Sequence, residues 1–186
     1  MKRCDWVPEN DELYCEYHDK EWGVPVHDDQ LLFEFLILET FQAGLSWKTV
    51  LYKRDNFRKA FLNFDVKKVA AFTEKDEARL LQDAGIIRNK LKIKAAISNA
   101  QAFLKVAEEF GSFDKYIWGF VNHKPLVNSF KTLSDIPAKT ELSDKLSADL
   151  KKRGFKFVGS TVVYAHMQAT GMVNDHTTDC FRYKEV

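Results

Sequence analysis

Residues 29–45 read "DQLLFEFLILETFQAGL", and this segment constrains the fold more than any other. Its apolar side chains fall on more than one face of a helix, and Asp28 stands where a helix cap belongs. A helix that is apolar on several sides is stable only when other elements surround it. The segment therefore predicts a central, buried helix, and the rest of the chain must supply the helices that cover it.

The remaining sequence has the same period. Ser46 caps a predicted helix "WKTVLYKRDNFRKAF", and Asp65 and Thr73 read as further caps. Thr73 has Asp76 three residues on, close to a capping box, and Gly85 breaks the pattern after "DEARLLQDA". A long amphipathic helix is predicted over "RNKLKIKAAISNAQAFLKVAEEF", ended by Gly111, with a short one at "FDKYIWGF". The stretch "VNHKPLVNSFKTLSDIPAKTE" holds two prolines and several cap formers, and reads as a loop or lobe connection. Ser143 is placed as the cap of "DKLSADLKKR", and Ser160 as the cap of "TVVYAHMQAT", which Gly171 stops. No long run alternates with the strand period, so the expected class is all-α.

With 45% hydrophobic residues and 15 phenylalanines among 186 residues, one medium domain or two small lobes can bury a core. Lysine and arginine nearly cancel aspartate and glutamate, leaving +1, so only local clustering could mark a nucleic-acid partner. No apolar run is long enough to span a bilayer, and "MKRCDWVPEN" lacks the apolar core of a signal peptide. Three cysteines, an odd number, fit a reducing compartment, and a cytoplasmic protein without membrane contact is expected.

In "LSADLKKRGFKFVGSTVVYAHMQATG" two helical patterns flank a tight turn containing Gly154 and Gly159. Amides near Gly159, Ser160 and Thr161 would point outward as an anion site, with Lys151, Lys152, Arg153 and Lys156 crowding the same turn. Such a site holds a phosphate without reading a base. An ordinary helical hairpin with a solvated basic face has the same pattern.

The tail "GMVNDHTTDC" places His176 and Cys180 four positions apart, in a segment that needs something to tie it down. The N-terminus offers Cys4, Cys15 and His18, and two thiolates with two imidazoles make a tetrahedral zinc site. Spacing alone favours Cys15, three residues from His18, over Cys4. The competing reading is three buried or idle thiols.

"DELYCEYHDKEWGVP" gathers Tyr14, Tyr17 and Trp22, while Glu39 interrupts the apolar helix shortly before Trp47. A carboxylate in such a helix needs a partner or a function. Aromatic faces beside it would suit a flat, cationic heterocycle. The alternative is that the aromatics are core residues and Glu39 bonds backbone or an arginine.

The chain resembles the bacterial DNA-3-methyladenine glycosylase I family, zinc-containing members of the helix–hairpin–helix glycosylases. The resemblance rests on "RCDWVPENDELYCEYHDKEWGVPVHDD", "LETFQAGLSWKTVLYKRDNFRKAF", "DAGIIRNKLKIKAAISNA", "WGFVNHKP", "KKRGFKFVGSTVVYAHMQATG" and "VNDH". It implies a two-lobed all-α fold in one domain over 1–186, with the hairpin at about 142–171. It also implies structural Zn2+ on Cys4, His18, His176 and Cys180, which overrides the spacing preference for Cys15. The implied activity is monofunctional hydrolysis of the N-glycosidic bond of 3-methyladenine in alkylated double-stranded DNA, by a monomer. Glu39, Tyr17 and Trp47 would line the base pocket, with Tyr14 and Trp22 nearby.

One departure concerns the wider superfamily, many of whose members carry an aspartate in a "V-D-T-H"-like motif after the hairpin. Here "VNDH" puts Asn174 two before His176 and shifts Asp175 by one. The expectation is that catalysis rests mainly on base recognition and leaving-group lability, with Glu39 as the principal polar group. Two other functions compete with this one, a zinc-stabilised DNA-binding module and a metallohydrolase. Four available zinc ligands argue against the second, and the Glu39 constellation against the first.

Overall fold

The computed structural model describes residues 1–186. Helix α1 spans Glu12–Lys20, α2 Asp29–Gln42, α3 Trp47–Leu51, α4 Arg54–Ala60, α5 Val66–Ala70 and α6 Glu74–Gln82. They are followed by α7 (Lys90–Phe110), α8 (Phe113–Gly119), α9 (Glu141–Lys152) and α10 (Ser160–Ala169). Strands β1 (Leu126–Val127) and β2 (Val173–Asn174) form the only sheet.

Helix α2 begins where the sequence places it, with Leu31 N–H donating to Asp28 Oδ1 at 2.8 Å. Every residue from Leu32 to Phe41 is buried, because α3, α7, α8 and α10 all pack against it. Its aromatic neighbours come from distant segments: Phe33 meets Phe103 of α7 at 5.3 Å, and Phe41 meets Phe57 of α4 at 4.8 Å. The core is continuous from Cys4 to Cys180, so both termini belong to it. No helix is long and apolar enough to cross a membrane.

Caps decide most boundaries. Asn89 accepts Lys92 N–H at the start of α7, and Gly111 ends it with φ +88°. Thr73 and Asp76 close the anticipated capping box of α6. Two caps differ from expectation. Thr140, not Ser143, caps α9: Ser143 sits one turn inside and completes a reciprocal pair with Thr140, at 2.8 and 3.1 Å. Gly159, not Ser160, caps α10, and the Ser160 hydroxyl meets that of Ser143 at 2.8 Å, joining the two helix starts.

The predicted single helix over residues 47–61 is two. The break at Tyr52 and Lys53 lets Trp47 reach Tyr17 while Phe57 reaches Phe41. Helix α1, absent from the sequence reading, is capped by Asp11, which also accepts Tyr52 Oη at 2.7 Å and so ties α1 to the end of α3. The proline-containing connection docks on the tail through β1 and β2, which run parallel with Leu126 opposite Val173. Two-residue strands are too short to show an alternation in sequence.

Gly171 ends α10 with φ +70°, and a Cβ there would lie 2.4 Å from Pro25 N. This close approach lets Gly23 N–H reach Gln168 O at 3.1 Å and Val26 N–H reach Thr170 O at 3.0 Å. The C-terminal end of α10 is thereby stitched to the segment that leads from α1 to α2.

Candidate active site and metal centre

Helices α1, α2, α3 and α10 meet the 133–138 segment around a cavity of about 360 Å³, a size that suits a small flat ligand. Tyr14, Tyr17, Trp22, Glu39 and Trp47, picked from the sequence, all line it. The Tyr17 and Trp47 rings face each other at 5.2 Å with 41° between their planes. Trp6, missed in the sequence, completes the wall, in edge contact with Tyr14 at 5.6 Å and Trp22 at 5.0 Å.

Two carboxylates interrupt α2, five residues and so about 140° apart around the helix, and they differ in kind. Glu34 accepts Arg54 Nε at 2.6 Å and Arg58 Nε at 3.1 Å, so its charge is paired. Glu39 is 4% exposed, and its Oε2 is buried without a hydrogen bond. Burial alone pushes its carboxyl up to about 8, so the group is mainly neutral at pH 7 when the cavity is empty of charge. The indole Nε1 of Trp47 is likewise buried and unpartnered. A cavity with an orphan acceptor and an orphan donor is built to bond something other than the protein.

Helix α10 contributes one face: Thr161, Tyr164, Ala165 and Gln168 recur at helical spacing and all line the cavity. That periodicity was visible in the sequence, but nothing there said which face met a cavity. Beneath it lies Asp175, 1% exposed. It accepts Asn128 Nδ2 at 2.7 Å, Gln168 Nε2 at 2.8 Å and the Tyr164 hydroxyl. Burial, and then the bond to Asp175, pushes the Tyr164 phenol up, so it remains a donor. Asn174 is occupied too, accepting His176 N–H at 3.1 Å and donating to Tyr183 O at 3.0 Å.

Behind the Trp6 and Trp22 wall, Cys4, His18, His176 and Cys180 are buried together with their ligand atoms within 4.8 Å of one another. Cys180 Sγ lies 3.5 Å from both His18 Nε2 and His176 Nδ1, and Cys4 Sγ lies 3.5 Å from His176 Nδ1. The other imidazole nitrogens are engaged: His18 Nδ1 faces Asp19 Oδ1 at 2.8 Å and His176 Nε2 faces Trp22 O at 3.0 Å. Rings oriented in this way are set to offer the remaining nitrogen to a metal ion. Cys15 is not part of the group; its thiol points to the Pro8 and Glu9 carbonyls at 3.5 and 3.8 Å. The spacing preference for Cys15 fails because the fourth position is filled by the N-terminal segment crossing α1, not by α1 itself. Phe181 N–H donating to Lys2 O at 2.9 Å and a Lys2–Asp179 ion pair hold that segment against the tail.

Residues 6–183 match the methyladenine glycosylase family. This chain belongs to that family. It is 55% identical over 183 residues to DNA-3-methyladenine glycosylase 1 of Escherichia coli (strain K12), covering 98% of this chain and 97% of that protein. A crystal structure of 3-methyladenine DNA glycosylase I is similar at 53% identity and TM-score 0.94, covering 97% and 98% of the two chains. A second, of a tyrosine-to-phenylalanine variant in complex with 3-methyladenine, is similar at 37% identity and TM-score 0.94, covering 97% of each.

In this family member the turn between α9 and α10 is shaped by Gly154, at φ +95°, and pinned from behind by Asn99. Asn99 accepts Lys156 N–H at 2.7 Å and donates to Lys156 O at 3.0 Å, so the Lys156 amide is not available to an anion. Arg153 is also spoken for, bonded to Asp149 and Glu109 at 2.7 Å each and lying over Phe110. The cations left at the turn are the exposed Lys151, Lys152 and Lys156 side chains. Ser160 and Thr161 occupy the first turn of α10, whose N–H groups have no acceptor within the helix.

Proposed function

We propose that the chain is a monofunctional DNA glycosylase that hydrolyses the N-glycosidic bond of 3-methyladenine in alkylated double-stranded DNA. It releases the free base and leaves an abasic site. The observation that carries the site assignment is the buried, unpartnered Glu39 carboxyl at the wall of an aromatic cavity.

A base in a duplex must leave the stack to be reached. The open N–H groups near Gly159, Ser160 and Thr161 and the Lys156 ammonium hold the phosphate backbone at the turn, with Gly154 shaping the approach. This leaves α10 to present its other face to the cavity. The extruded base enters between Tyr17 and Trp47, with Tyr14 and Trp22 completing the wall. A purine methylated on the ring is cationic, so aromatic faces attract it and a neutral adenine gains less. Its charge also favours ionisation of Glu39, which a neutral ligand cannot do, and the pocket's affinity therefore tracks the lesion's charge.

The same charge makes the base a good leaving group without protonation. The C1′–N9 bond breaks with its electron pair passing to the base, which becomes neutral. Water then adds to the sugar cation and loses a proton. Asp175 is 1% exposed and already accepts three hydrogen bonds, which supports a mechanism that does not use it as general base. Recognition and exclusion of water by the aromatic walls supply the catalysis.

Cys4, His18, His176 and Cys180 would hold Zn2+. Their 3.5 Å separations match the about 3.3–3.8 Å expected between ligands of tetrahedral zinc with 2.0–2.3 Å bonds. Four protein ligands leave no open position, so the metal's role is to clip the termini and brace Trp6, which touches His18 at 5.3 Å. The enzyme acts as a cytoplasmic monomer. Incubation with methylated duplex tests the reading: free 3-methyladenine and an alkali-labile abasic site are expected, with no borohydride-trapped adduct. A trapped adduct would overturn the monofunctional assignment, and absence of free base would overturn the activity.

A further inference from the structure

We infer that Gln168 is a specificity-determining residue: Asp175 fixes its side-chain carbonyl as a hydrogen-bond acceptor for the exocyclic amino group of the bound base. The inference rests on the proposed activity and deepens it, since it says how the cavity separates a methylated adenine from a methylated guanine.

A glutamine amide is donor at one end and acceptor at the other, and either could serve a pocket. Here the choice is forced. Gln168 Nε2 donates to Asp175 Oδ2 at 2.8 Å. Turning the amide over would set its carbonyl against a carboxylate, two acceptors with no hydrogen between them. Nor can Asp175 turn away, because Asn128 holds its other oxygen at 2.7 Å and Tyr164 donates to the oxygen that Gln168 uses. Asn128 is itself anchored, its N–H bonded to Asn174 O at 3.1 Å in continuation of the short sheet. The backbone behind Gln168 is equally fixed, its carbonyl accepting Gly23 N–H at 3.1 Å.

The Gln168 carbonyl oxygen is thus left over. It has no protein partner and is not among the buried unpartnered atoms, and the space its side chain lines is the cavity. The cavity wall then carries the Glu39 carboxyl and the Gln168 carbonyl as acceptors and the Trp47 indole as donor, beside the Gln42 amide and the Thr161 hydroxyl, which can play either part. Two acceptors suit an amino group, which has two N–H bonds to give. At the corresponding position guanine carries a carbonyl, which would meet an acceptor and leave both unpaired. A site built to bond a particular N–H rejects the analogue that lacks it far more strongly than apolar shape can. Asp175 is accordingly a positioning residue, whose surplus of donors sets the polarity of a neighbour it never exposes.

The test uses the full-length, zinc-loaded protein and one methylated duplex from which 3-methyladenine and 3-methylguanine are released and separated. Gln168→Met keeps the length of the side chain and removes the acceptor; Gln168→Ala removes it without filling space. Both variants are expected to lose about 10–100-fold in 3-methyladenine release while 3-methylguanine release falls less or rises. A structural defect would lower both bases together, so the ratio is the readout. An unchanged ratio in both variants with an active wild type overturns this inference alone. A wild type that releases neither base overturns the glycosylase reading and this inference with it.

Discussion

Replacing Glu39 by glutamine should make the protein more stable, and by an amount that depends on pH. The folded carboxyl is pushed up to about 8 by burial, against an ordinary value of 4.5. Between these values the native state holds a proton that the unfolded chain gives up, so wild-type stability falls as pH rises through the window. Below about pH 4.5 the group is neutral in both states and the penalty vanishes. At 1.36 kcal/mol per pH unit, the penalty is about 1 kcal/mol at pH 5.5 and about 3 at pH 7, with a plateau near about 5 above pH 8. Glutamine has nearly the same shape and never ionises, so Glu39→Gln removes the penalty. Urea unfolding of both proteins with saturating zinc, from pH 5.5 to 9, measures it, since the metal ligands are common to the pair. A gap that widens with pH is expected. A flat gap, or a variant less stable than wild type at pH 7, would refute the claim that Glu39 is an unpartnered buried acid.

Three further outcomes follow from the geometry. Removing the metal with a chelator should lower the melting midpoint and abolish base release together, because the cluster braces the Trp6 wall; loss of chemistry with an unchanged midpoint would point to a catalytic metal. Gly171→Ala should destabilise by more than about 3 kcal/mol in denaturant unfolding, given a Cβ placed 2.4 Å from Pro25 N at φ +70°, and a soluble variant of near-normal stability would contradict the close approach. Asp175→Asn should keep excision within about tenfold, since Asn128 can turn its amide to meet the new one; a loss of roughly 10²–10⁴ with intact zinc would restore Asp175 as a general base.

Where the sequence alone revealed the architecture, it did so through patterns that report burial directly. The largely apolar character of residues 32–41, broken only by Glu34, Glu39 and Thr40, reflects the helices packed around α2, and Asp28, Thr73 and Gly111 mark boundaries because caps are local chemistry. Helix α1 escaped because "ELYCEYHDK" is mostly polar and presents only a narrow buried face through Cys15, Tyr17 and His18. The split between α3 and α4 escaped because both halves carry good helix formers, and the break comes from tertiary partners, Tyr52 with Asp11 and Phe57 with Phe41. Ser143 and Ser160 are sound cap formers that lie three positions and one position inside the caps, Thr140 and Gly159.

The site divides in the same way. Glu39 stood out because a carboxylate in an apolar run is costly, yet Glu34 in the same run was equally conspicuous, and only its arginines tell the two apart. Cys4 came from the family pattern, since the contact joining it to His176 spans nearly the whole chain and leaves no local trace. Gln168 and Asp175 were illegible as a pair for another reason. Their hydrogen bond fixes a direction, and sequence carries no information on which way an amide points.

The central claim is that Glu39 in this cavity recognises a methylated adenine while it is still cationic, flipped out of the duplex but attached to its sugar. Chromatographic separation of free bases from methylated duplex, with wild type and Glu39→Gln at equal zinc content, tests it most directly. The account predicts release of 3-methyladenine by wild type and a much reduced rate for the more stable variant. Equal release by both would contradict the role of Glu39, and no release by folded, zinc-loaded wild type would contradict the activity itself.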